Sequence, residues 1–215
     1  NGIDYIFSES YSAANTPLPY ILIAYSCKIL GVNPTLMTAR IFGILTGALF
    51  LVVLFLFIRR FSKDVYIICF SVLLYPYFIK PTFSFYMAIY GLLFFALCLF
   101  FMRKRNYYSL ILASLFCSLA ILSQQVYLFL PIWFLLITFL KYYKKEINFP
   151  YFLRVNFLFY SFLIIPIYLF VLWGGLTTEF YRQHSLTVGN NIISNFTGVL
   201  VVFGGIFYPI VIEKV

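Results

Sequence analysis

The chain has 215 residues, of which 64% are hydrophobic, 23% aromatic and 10% charged. A soluble domain is closer to half apolar and a quarter charged, so no water-soluble fold can bury this much Phe, Leu and Ile. The formal net charge of +9 sits in short clusters between apolar runs, the pattern of membrane topology signals and not of a nucleic-acid surface. The expected fold is all-α: a polytopic transmembrane helix bundle of about seven spans, with a short interfacial helix in the first outer loop. Cys27, Cys69, Cys98 and Cys117 stand singly within apolar runs and read as small packing residues. Because the chain opens on Asn1 and stops at Val215 just after an apolar run, it is expected to be a piece of a longer protein.

Residues 1–34 read as the end of an extracytoplasmic loop. Thr16 can cap a helix, and Pro17 and Pro19 fall in its first turn, where backbone N–H groups have no helical partner. Gly31 can end it, and Asn33-Pro34 turns the chain. About 14 helical residues reach roughly 20 Å, short of a hydrocarbon core of about 30 Å. Ser26 and Lys28 also disfavour a crossing, so this helix is expected to lie in the outer interface.

Residues 35–215 read as the bundle. A span over 41–58 exits at Arg59-Arg60, followed by three hairpins. The first covers 64–102 and turns at Lys80-Pro81; the second covers 106–140 and turns at Gln124-Gln125. The third covers 151–212, with 174–194 as its outer loop. This places Arg59, Arg60, Lys63, Arg103, Lys104, Arg105, Lys141, Lys144, Lys145, Arg154 and Lys214 inside, and leaves Lys28, Arg40, Lys80 and Arg182 outside. That asymmetry obeys the positive-inside rule.

The outer face then gathers most groups capable of chemistry: Asp4, Glu9, Asn15, Tyr20, Lys28, Arg40, Lys80, Gln124, Gln125, Glu179, Arg182 and His184. Each has a plainer reading. Lys80 and Arg182 either snorkel to bulk lipid or hold one specific lipid phosphate. Arg40 opposes the dipole at a helix start, which a bound anion or a carboxylate would relieve. Gln124 and Gln125 either satisfy a hairpin turn or hydrogen-bond a substrate. His184 has no second ligand at helical spacing, so no metal site is expected. Asn195-Phe196-Thr197 fits the glycosylation sequon at a membrane edge. The sequence carries no Gly-rich phosphate loop, HExxH helix or GxSxG elbow. An activated substrate would therefore be a lipid.

Asn15-Thr16-Pro17-Leu18-Pro19-Tyr20, followed by Leu30-Gly31 and Ala39-Arg40, resembles the proline motif of the GT-C integral-membrane glycosyltransferases. The similarity is to the branch that uses polyprenyl-phosphate sugars, which includes protein mannosyltransferases and aminoarabinose transferases. "AILSQQVYLFLP" (120–131) and "LWGGLTTEFYRQHS" (172–185) are similar to further segments of some members. In that family the proline motif ends the first extracytoplasmic loop, whose interfacial helices shelter the active site.

The resemblance implies an inverting sugar transfer to an acceptor hydroxyl of a lipid, glycan or protein. It also implies membrane lipids and no nucleic acid as partners, and a bacterial inner membrane in preference to the endoplasmic reticulum. Asp4 and Glu9 are the candidate catalytic acids; Asn15, Tyr20, Arg40, Lys80, Gln124, Gln125, Arg182 and His184 are the candidate substrate contacts. The chain departs from the family in two places. The family's acidic pair comes earlier in its first loop and would precede Asn1. Where some relatives carry an Asp beyond the third span, this chain reads Ser84-Phe85-Tyr86-Met87. The family admits a divalent cation, but no cofactor or ligand set is identifiable in this chain. The competing class is a transporter, flippase or assembly subunit without chemistry, whose usual mark is ionisable groups at mid-membrane. The mid-span positions here are almost uniformly apolar.

Overall fold

The computed structural model describes residues 18–74, 78, 88–103 and 106–173. Among them every regular element is helical: α1 Leu18–Leu30, α2 Leu36–Ile58, α3 Val65–Leu74, α4 Ala88–Met102, α5 Tyr107–Ser123, α6 Gln125–Tyr143 and α7 Phe149–Leu172. The sequence accounts for many of the helix ends. Gly31 adopts a left-handed φ of 65°, and Val32 N–H donates to Cys27 O at 3.0 Å, the six-to-one bond of a Schellman cap that closes α1. Thr35 opens α2 with a capping box: its Oγ1 accepts from Thr38 N–H at 3.2 Å while Thr38 Oγ1 accepts from Thr35 N–H at 2.8 Å. Asn106 and Asn148 cap α5 and α7 through their side-chain oxygens.

Among the described residues three helices, α2, α6 and α7, are long and apolar enough to cross a membrane, fewer than the seven spans expected from the apolar runs, of which parts lie outside the described residues. α5, bounded by Asn106 and Gln124, has 17 residues, which at 1.5 Å each leaves it several ångströms short of the hydrocarbon core, and 15 residues of α4 are described. Isoleucine, leucine and valine cover the outward faces, such as Ile41, Leu45, Leu49 and Val52 on α2 and Ile164, Ile167 and Val171 on α7. Such a surface suits lipid, not water.

Packing follows two cores. In the first, Ala39, Phe50, Val53 and Ile58 of α2 meet Ile89, Tyr90, Leu93 and Ala96 of α4, with Ile23 and Cys27 of α1 beside them. Gly43 and Gly47 are also buried on α2, and with Ala39 they form a small-residue stripe at four-residue spacing that lets backbones approach. In the second core, Leu110, Ala113, Cys117 and Ile121 of α5 pack with Phe134 of α6 and Val155 and Phe159 of α7.

Among the described residues the most extensive packing joins helices that are not partners in the expected hairpins. α4 lies chiefly against α2 and α5, and α7 lies against both α5 and α6. The physical reason is side-chain size: small residues on α2 and α5 admit α4 and α7, whereas α6 faces outward with Ile132, Trp133, Leu136 and Phe139. The Lys80-Pro81 turn of the 64–102 hairpin, the second arm of the 151–212 hairpin and residues 1–17 lie outside the described residues.

α7 is interrupted by a tightened turn at Ser161–Leu163, just before Pro166, which has no N–H to donate and crowds the preceding turn. Ser161 Oγ donates to Leu158 O at 2.9 Å, and Phe162 N–H turns outward to Ser114 Oγ of α5 at 3.0 Å. The break is therefore internally satisfied.

Candidate functional site

Ring contacts fix the direction of each helix. Arg60, just beyond α2, lies over Phe100 near the end of α4, and Tyr90 at the start of α4 lies near Thr46, so these two helices run parallel. α5 returns antiparallel: Phe101 stacks on Phe116, and Phe95 stacks on Tyr127 just past the α5 end. Arg154 near the start of α7 donates to Tyr107 OH at the start of α5, at 3.2 Å. The basic turns at 59–63, around Arg103 and near Arg154 thus share one end of the bundle. Away from the basic turns, the first turn of α4 meets the Gln124–Tyr127 turn at Gly91 and Trp173 packs by Leu122 near the end of α5, while α2 runs on past α4, whose Tyr90 is level with Thr46.

The region away from the basic turns is the candidate site. α1 buries Pro19, Ile23 and Cys27 at four-residue spacing and turns Tyr20, Lys28 and Ile29 outward. Partial burial holds the Tyr20 phenol above its usual range. Arg40 is exposed in the second turn of α2, beside the buried Ala39, and the helix start ahead of it has no acidic residue. Gln124 adopts extended backbone, φ −154° and ψ 131°, between α5 and α6, and both glutamines are half-buried.

Below this rim the residues are ones that sequence reasoning passed over. Tyr127 lies across Gly91, where a Cβ would stand 2.5 Å from its Cε2 atom, and stacks on Phe95 with ring centroids 5.6 Å apart. Only glycine permits that approach. Among the described residues the buried Tyr90 hydroxyl makes no hydrogen bond within geometric limits; it lies near Cys27 and Thr46, whose Oγ1 donates to Phe42 O at 2.7 Å and still has lone pairs to accept with. A tyrosine inside an unbroken apolar run gives no sequence signal that separates packing from function.

Of the ten site residues expected from sequence, Tyr20, Arg40, Gln124 and Gln125 are among the described residues. Asp4, Glu9, Asn15, Lys80, Arg182 and His184 lie outside the described residues. Among the described residues no three His, Cys, Asp or Glu side chains converge to hold a metal ion. The region as described offers hydroxyl, amide and guanidinium groups, which can bind sugar or phosphate but cannot accept a proton as a carboxylate does. Comparison with protein-family models, curated proteins and solved structures finds no match.

Proposed function

We propose that this protein is a multi-pass membrane glycosyltransferase of the bacterial inner membrane. It would move a sugar from a polyprenyl-phosphate donor to an acceptor hydroxyl at the extracytoplasmic face. One observation carries the reading. What supports it is the helix that carries the last residues of the proline motif: Leu18–Leu30, 13 described residues and about 20 Å, which buries Pro19, Ile23 and Cys27 against α2 and α4 and leaves Tyr20 and Lys28 exposed. A collar of this kind holds a lipid-linked donor where its phosphate meets the headgroup layer. The seven-span layout, with α1 along the outer leaflet, belongs to the same proposal.

In the transfer, the acceptor oxygen attacks the anomeric carbon and inverts it. The bond from that carbon to the lipid phosphate oxygen breaks, and the phosphate leaves with the electron pair. A carboxylate takes the hydroxyl proton, and cations stabilise the charge growing on the leaving phosphate. Asp4 or Glu9 would serve as a secondary acid or orient the acceptor, neither matching the family's principal acidic pair by motif; Lys80 and Arg182, with Arg40, are the cations.

The direct test is release of polyprenyl phosphate from a polyprenyl-phosphate sugar by the full-length protein in lipid nanodiscs. No release with any acceptor overturns the proposal. Lys80→Ala and Arg182→Ala should each weaken donor binding about tenfold, the loss of one charge-assisted contact. Unchanged donor affinity in both variants removes them from the site. Cysteine labelling should find positions 4 and 80 on the same side of the membrane.

A further inference from the structure

Independently of the sugar-transfer reading, the basic end holds a built arrangement of its own. Arg60, in the turn after α2, reaches across to α4 and stands 5.9 Å from the Phe100 ring centroid. Arg103, just after α4, reaches back and stands 3.9 Å from the Phe61 ring centroid. Each arginine thus covers a ring that lies close in sequence to the other arginine, so both belong to the junction between the turn after α2 and the end of α4.

The frame beneath them is fixed. Phe61 and Ser62 N–H both donate to Ile58 O, at 2.8 and 3.1 Å, and Asp64 N–H donates to Ser62 Oγ at 3.1 Å. Ser62 and Val65 are buried, whereas Arg59, Arg60, Lys63 and Arg103 are exposed. Neither Arg60 nor Arg103 has a carboxylate partner among the described residues. Two cations at one junction with no carboxylate partner among the described residues favour a bound anion. A guanidinium stacked on a ring keeps its N–H edge free to donate to phosphate oxygens in a planar fork.

We propose that this junction of the α2–α3 turn with Arg103 at the end of α4 is a binding site for the phosphate headgroup of an anionic phospholipid. The occupant is a lipid and not a soluble phosphate because of what flanks the arginines: exposed Tyr66, Ile67 and Phe70 continue along α3 from the same turn, a surface for acyl chains. Basic pockets between membrane helices at this level recognise anionic headgroups.

The test uses the full-length protein in nanodiscs of phosphatidylcholine with a minor fraction of phosphatidylglycerol, extracted mildly and read by native mass spectrometry for retained lipid. Arg60→Gln with Arg103→Gln should reduce retained phosphatidylglycerol about tenfold, as expected for losing charge-assisted bonds to one phosphate. Lys144→Gln with Lys145→Gln removes the same charge from the same end and should leave retention unchanged. Equal loss in both pairs, or no loss in the arginine pair, overturns the site in favour of a diffuse field. Both arginines are exposed, and monodispersity checks the fold. If the double variant is not monodisperse, the single variants decide: each should lose retention severalfold, and full retention in either overturns the site.

Discussion

The two cores are held together in different ways. The first joins α2 to α4 through small residues and aliphatic side chains, with Ala39, Gly43, Gly47 and Ala96 letting the backbones close in. The second is tied by hydrogen bonds from α7. Arg154 donates to Tyr107 OH at 3.2 Å, and Asn156 Nδ2 to Thr138 Oγ1 at 3.2 Å. Tyr160 OH donates to Pro131 O at 2.7 Å, and Phe162 N–H to Ser114 Oγ at 3.0 Å. Without a hydrophobic drive between helices in lipid, association rests on close packing or on polar contacts. This protein uses the first in one half and the second in the other. The half tied by hydrogen bonds is the better candidate for a rigid frame, although each half keeps one buried hydroxyl that makes no hydrogen bond among the described residues, Tyr90 in the first and Ser118 of α5 in the second.

The largest expected effect tests the second core where its packing is tightest. Phe159 is wholly buried, its ring centroid 3.9 Å from that of Phe134 and 5.7 Å from that of Tyr160. Phe159→Ala should cost about 3 kcal/mol, the low end for buried phenylalanine, because the separated helices still hold the ring in lipid. Phe50, paired with Phe78 at 5.6 Å in the first core, should cost less on the same substitution. Reversible unfolding in micelles measures both; an equal or larger cost at Phe50 removes the contrast. Next comes the seam between the cores. A valine at Gly91 drives its Cβ into Tyr127, and Gly91→Val should cost about 2 kcal/mol by overpacking. Tyr127→Leu in the same chain should recover part of that loss.

Much of the outline was legible in the sequence. The short first helix, its end at Gly31 and the break at Gln124 fall where turn chemistry places them. The clustering of basic turns at one end follows from alternating apolar runs. The helix partners were not legible. α2 to α5 are apolar on every side, so no periodic contrast marks which face meets a neighbour, and chain adjacency is a poor guide. The Thr35 cap was also missed, because Asn33-Pro34 dominates the reading there. Of the candidate site, the rim residues Tyr20, Arg40, Gln124 and Gln125 could be named from their polarity, whereas Tyr90, Gly91 and Tyr127 matter through contacts that only packing reveals.

The polar contrast itself is sharpened by a pair of opposite substitutions. Tyr90→Phe removes a buried hydroxyl that makes no hydrogen bond among the described residues, and should leave stability unchanged or raise it by up to about 1 kcal/mol. Asn156→Leu breaks the bond to Thr138, whose hydroxyl still reaches Phe134 O at 3.0 Å, and should cost about 1 kcal/mol. A double-mutant cycle with Thr138→Val isolates the coupling. Loss of stability in Tyr90→Phe would mean that the hydroxyl has a structural partner, and the first core would then depend on polar contacts as the second does.

The smallest effects compare one turn in the two halves. α1 ends at Gly31 with φ 65°, and Val32 N–H donates to Cys27 O at 3.0 Å. α6 ends the same way, with Glu146 N–H donating to Lys141 O at 2.9 Å, but its left-handed residue is Lys145 at φ 59°. A side chain there crowds the following carbonyl, whereas glycine does not. Gly31→Ala should cost about 1 kcal/mol, and Lys145→Gly should gain about 0.5 kcal/mol, the relief being partly offset by glycine's greater freedom in the separated state. The open space around the Gly31 Cβ position leaves backbone conformation as the cause there. Opposite signs in thermal unfolding of the two variants are the expected outcome. Equal signs would mean that the turn after α6 gains from its lysine, through the charge at the helix C-terminus, more than the left-handed backbone costs it.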